Sequence, residues 1–133
     1  MYILLKNTNY LPFVNEFLLD SGCKINNINT VRIDNFIAKY IYSNLQDTMY
    51  FNNAINSVMN KLCIVIEFEH DTFTIEECKK YLQGSYNTDD INTIRGFLKR
   101  INYDTTDDSY VHIPDTKEKM DLDLIQMYPY IIN

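Results

Sequence analysis

The chain has 133 residues, 18 acids, 12 bases and 2 histidines, for a formal net charge of −6. With 46% hydrophobic and 23% charged residues it has the balance of a folded chain, which excludes a disordered, collagenous, coiled-coil or disulfide-scaffold protein. The length fits one globular domain over residues 1–133.

The composition is biased toward 16 Asn, 17 Ile, 11 Tyr and 12 Asp, with only 2 Ala and 3 Gly. AT-rich codons favour these residues, so the bias points to a low-GC bacterium, a phage or a large DNA virus rather than to a chemistry. The charge is uneven. Residues 1–103 sum to −1, and residues 104–133, with Asp104, Asp107, Asp108, Asp115, Glu118, Asp121 and Asp123, sum to −5.

The opening apolar run, Met1 to Leu5, is too short for a signal-peptide core, and no run is long enough to span a bilayer. Cys23, Cys63 and Cys78 are odd in number and widely spaced, and no Asn-x-Ser/Thr sequon occurs. These features predict a reducing, intracellular, cytoplasmic setting.

In chain order, residues 2–6 read as a short strand. Thr8 is a candidate cap and Pro12 a first-turn proline for a helix carrying Leu11, Val14, Phe17 and Leu18, with Gly22 as its stop. Residues 23–30 are Asn-rich and read as turn. Ile33, Ile37, Tyr40, Ile41 and Leu45 form a helical stripe, with Thr30 as the candidate cap. A shorter helix follows with Ile55, Val58 and Met59.

Leu62 to Glu69 is the clearest strand, with Ile64, Ile66 and Phe68 on one face. Thr74-Ile75-Glu76-Glu77 is a capping box opening a helix that Gly84 ends. Thr88-Asp89-Asp90 reads as the start of a helix to residue 102, bearing Ile91, Ile94, Leu98 and Ile101. Tyr110 to Ile113 is a short strand. Asp115-Thr116-Lys117-Glu118 is a second capping box for a final helix that Pro129 stops. The expected fold is α+β: an α-rich domain of about six helices with a small sheet of about two or three strands.

The residue types offer several chemistries. Residues 74–113 follow the element order of a winged helix, in which Arg95, Lys99 and Arg100 would meet nucleic acid. Three aspartates in the would-be wing, and the acidic total, oppose that reading and make nucleic acid an unfavoured partner. Cys63, His70, Asp71 and Cys78 match no zinc-ligand spacing, so no metal and no cofactor is expected. Glu67 and Glu69 on one strand face, with His70, are the candidates for a small hydrolase or nuclease. His112, within a short strand, reads as a structural or an exposed histidine. The chain has no phosphate-cradling glycine loop and no nucleophile elbow.

The favoured expectation is a non-catalytic, protein-binding module. It would be an inhibitor, antagonist or immunity-type accessory protein of viral, phage or low-GC bacterial origin, with no membrane role. Its partner would be a protein with a basic surface. Asp104, Asp107, Asp108, Tyr110, Asp115 and Asp121 would form the contact, since carboxylates steer the encounter and phenol rings bury area.

Overall fold

A computed structural model describes residues 1–101 and 110–132. Its centre is a five-stranded antiparallel sheet in the order β4-β1-β3-β2-β5. The strands are β1 (Tyr2–Leu5), β2 (Cys23–Ile33), β3 (Lys61–His70), β4 (Val111–His112) and β5 (Ile131–Ile132). The helices are α1 (Leu11–Asp20), α2 (Asn35–Ile41), α3 (Phe51–Val58), α4 (Ile75–Glu77), α5 (Ile94–Ile101) and α6 (Lys117–Met127).

The sheet is larger than expected, and that corrects the small-sheet reading. The missing strands are β2 and β5. In β2, Asn26, Asn27 and Asn29 are poor strand formers by intrinsic preference. The long register against β3, from Cys23 opposite His70 to Ile33 opposite Lys61, overrides that preference. A bulge between Ile25 and Asn27 breaks the alternation that would have marked the strand. β5 is two residues long and is defined only by its pairing with Thr30 and Val31.

Strand pairing also shortens the second helix. Ile33 is the last residue of β2, so the helix begins at Asn35. Its cap is Asp34, whose Oδ1 accepts from Ile37 N–H at 2.9 Å, and not Thr30. α1 is preceded by a 3-10 turn that Asn7 caps instead of Thr8. At α6 the cap is Thr116, which accepts from Lys119 N–H, so the expected Asp115–Glu118 box does not form.

β1 and β2 both run antiparallel to β3, so they are parallel to each other and need a helical crossover, which α1 supplies. β1 is wholly buried between β3 and β4. Phe68, Ile66, Ile33, Ile37, Leu18 and Val58 continue the core around it. Burying each such side chain contributes about 1.5–3 kcal/mol. No helix among the described residues is long and apolar enough to cross a membrane.

Candidate functional site

The C-terminal part of the sheet edge and two helical segments enclose an open cleft of about 890 Å³. Its walls include Lys79, Lys80, Gln83, Gly84, Thr88, Asp90, Arg95, His112 and Asp115. The volume is in the range that holds a small organic ligand.

The first wall is the helix over residues 75–83. Thr74 and Glu77 make the reciprocal capping box expected from the sequence: Thr74 Oγ1 accepts from Glu77 N–H at 3.1 Å, and Glu77 Oε1 from Thr74 N–H at 3.1 Å. From Cys78 to Gln83 the helix widens to π form, a local irregularity often found beside functional sites. It ends at Gly84, whose φ of +85° suits glycine. A Cβ there would also lie 2.5 Å from Thr93 Oγ1.

The second wall is a turn followed by α5. Residues 88–93 do not extend the helix, contrary to the sequence expectation. Asp90 turns the chain instead: its Oδ1 accepts from Asn92 N–H and its C=O from Thr93 N–H and Oγ1–H. The turn packs so closely on α5 that a Cβ at Gly96 would lie 1.9 Å from the Asp90 carbonyl oxygen. Arg95 ties both walls to the sheet by donating to Gly84 C=O at 3.1 Å and Val111 C=O at 2.9 Å.

β4 supplies the floor. Tyr110 precedes it with φ +55°, uncommon for a side chain of this size, and is buried with its ring edge-on to Tyr10. His112 is half-buried and lies against Tyr42, ring centroids 4.8 Å apart. Its Nε2 is shut off from solvent and has no hydrogen-bond partner among the described residues. Burial holds the imidazole well below the usual histidine range, and the charges of Lys6, Lys79, Arg95 and Lys119 push it the same way. The ring is therefore neutral at physiological pH. Since Nε2 is enclosed, Nδ1 is the nitrogen that can meet a ligand.

Asp104, Asp107 and Asp108 lie outside the described residues. Asp115 pairs with Lys79 and accepts from Asn44 Nδ2, and Asp121 pairs with Lys117 at 2.6 Å. The structure brings Asp115 to the cleft, whereas Asp121 is on α6. Arg95 is taken up by backbone carbonyls. Lys99 is paired with Asp89 at 2.8 Å and also donates to Asn87 C=O, while Arg100 is exposed. Two of the three are thus engaged within the chain, and β4, the would-be wing strand, is hydrogen-bonded to β1.

Glu67 accepts from Asn27 Nδ2 at 3.2 Å, and Glu69 is exposed opposite Lys24. His70 is fully engaged. Its Nδ1 accepts from the N–H groups of Thr72 and Phe73, its Nε2 donates to Ser21 C=O at 2.9 Å, and its ring stacks on Phe73. Cys23, Cys63 and Cys78 are buried free thiols, and burial pushes Cys23 and Cys78 up to about 11. Such thiols are poor nucleophiles. Among the described residues no three His, Cys, Asp or Glu side chains cluster as a metal site.

His112 is the residue that sequence reasoning undervalued. The available signal was a polar ring set in an otherwise apolar strand, Val111-His112-Ile113. Its partners come from positions 6, 42, 79, 95 and 119, which no local motif connects.

No family model matches the sequence, and no curated protein does. Solved structures do match. An apo nucleoside diphosphate kinase from Encephalitozoon cuniculi superposes with a TM-score of 0.73 at 15% identity, covering 92% of this chain and 84% of that one. A nucleoside-diphosphate kinase from Borrelia burgdorferi, solved as a transition-state mimic with bound vanadate and ADP, gives 0.69 at 16% identity, covering 99% and 89%. These matches overturn the expectation of a non-catalytic inhibitor, antagonist or viral accessory module, because the architecture is one that enzymes use. The chain shares the fold of nucleoside diphosphate kinases.

Proposed function

We propose that the chain is a phosphotransferase in which His112 takes a phosphoryl group from a nucleoside triphosphate and passes it to an acceptor. The observation that carries this is the place of His112 in the cleft wall, half-buried beside Lys79 and Arg95 with its Nε2 enclosed. A nucleophile needs a lone pair at working pH. Burial and the surrounding positive charge keep His112 unprotonated, and the same charge attracts phosphate. The shared fold supports the reading, since one kinase with it binds ADP and vanadate.

The chemistry balances as a simple displacement. The Nδ1 lone pair attacks the γ-phosphorus, an N–P bond forms, and the P–O bond to the β-phosphate breaks. The nucleoside diphosphate leaves with that electron pair. The ring proton stays on Nε2 as the charge develops. An acceptor phosphate oxygen then attacks the same phosphorus, and the imidazole returns neutral. Lys79 and Arg95 line the same cleft, so their positive charge favours the phosphate groups of a bound nucleotide while their own hydrogen bonds keep them fixed.

Calorimetry with ADP, alone and with vanadate, tests the reading. Binding of ADP that tightens with vanadate and is unchanged by Lys99→Ala, whose ammonium is paired with Asp89, supports it. Absence of ADP binding at millimolar concentration contradicts it.

A further inference from the structure

β4 is an edge strand, bonded on one side to β1. The peptide groups on the outer side of an edge need partners from elsewhere when water is excluded. Here side chains supply them. Ile113 N–H donates to Gln83 Oε1 at 2.6 Å, and Ile113 C=O accepts from Lys79 Nζ at 2.9 Å. Val111 C=O accepts from Arg95 at 2.9 Å. Residues 111 and 113 are thus gripped on both sides of His112, by groups that also line the cleft. Gln83 and Lys79 lie four residues apart in the π-form segment, and Gln83 is only 5% exposed.

We propose that Gln83 and Lys79 are positioning residues, which hold the His112 ring at the cleft wall by binding the N–H and the C=O of Ile113. The proposal rests on the reading of His112 as the phosphoryl acceptor. A buried amide suits the task because it accepts strongly without adding charge beside the imidazole. Lys79 couples the grip to the cleft, since its ammonium also holds Asp115. In-line transfer is sensitive to small misplacement: a shift of about 1 Å costs on the order of 100-fold in rate.

The test compares wild type with Gln83→Met, which keeps the side-chain length and loses the acceptor, and Gln83→Glu, which keeps the acceptor. Single-turnover phosphoryl transfer from ATP is followed, together with the NMR signals of the His112 ring. Gln83→Met is expected to slow transfer roughly 10-fold or more with its ATP concentration dependence unchanged. The ring signals should move, and Gln83→Glu, which restores the acceptor but adds charge near the ring, should recover the rate more fully than the ring signals. Unchanged rate and ring signals in Gln83→Met, or equal impairment in both variants, overturns the proposal. If Gln83→Met does not fold, Lys79 decides at a partly exposed position: ring signals displaced in Lys79→Met and restored by the charged donor of Lys79→Arg support the proposal, and signals displaced in neither variant, or equally in both, overturn it. If wild type accepts no phosphoryl group, the proposed function fails, while the ring signals still decide the positioning role.

Discussion

The chain's two histidines sit at ends of two strands and have opposite fates. His70, at the end of β3, spends both ring nitrogens on backbone partners and its face on Phe73. It closes a corner between α1, β3 and the turn before α4. His112, in β4, has an enclosed nitrogen without a partner among the described residues, and the charges of four cations act on its ring. Leaving a buried polar atom unpartnered costs about 1–3 kcal/mol, and sites of that kind concentrate where function needs them. One residue type thus serves stability at one place and reactivity at the other. The difference lies in what the neighbours offer: carbonyl and amide groups at His70, positive charge and a cleft at His112.

The largest expected effect separates these roles at once. His112→Asn should abolish phosphoryl transfer, by about 10³-fold or more, and leave the thermal midpoint near that of wild type. His70→Ala should do the reverse. It removes three hydrogen bonds and a ring stack, so stability should fall by roughly 1–3 kcal/mol in chemical denaturation while transfer at a permissive temperature persists. A His70→Ala protein that is stable but inactive would break the comparison.

Gly96→Ala comes next. The added Cβ would overlap the Asp90 carbonyl, so the turn of residues 88–93 should be displaced from α5. A loss of about 2 kcal/mol or more is expected, with nucleotide binding weakened in parallel. Retained binding at full stability would show that this wall of the cleft is not needed.

Acid should then act on His112 with a definite sign. Its folded-state affinity for a proton lies well below that of the unfolded chain, at about 6.5. Below that value the unfolded state binds more protons, so stability falls as pH drops from about 6.5 toward the depressed folded value, and is fully present above it. The slope of the thermal midpoint over this range should be shallower in His112→Asn. Transfer should persist below pH 6.5, where an ordinary histidine is more than half protonated. The smallest effect is expected at Lys99→Ala, which breaks an exposed pair with Asp89 and should leave both the midpoint and transfer unchanged.

Much of the framework was legible in the residues. The Thr74–Glu77 capping box and the alternating β3 strand form as read, because both signals are local. β2 was not legible because its order comes from pairing with β3 across about 40 intervening positions, as in Asn27 opposite Glu67. The acidic late segment also reads differently once folded. Asp115 pairs with Lys79, Asp121 with Lys117, and Asp123 with Lys119, so these acids face the chain's own lysines. Asp123 is fully buried and also accepts from Tyr2 Oη at 2.8 Å, and burial raises its carboxyl above the usual range despite those partners. The candidate site was least legible, since its charges converge on His112 from four separate elements.

The most direct measurement is incubation with a γ-labelled nucleoside triphosphate, followed by mapping of the modified residue. The account predicts an acid-labile, alkali-stable label on His112 that added nucleoside diphosphate removes and that His112→Asn lacks. A protein that takes no label, or one whose label persists in His112→Asn, contradicts it.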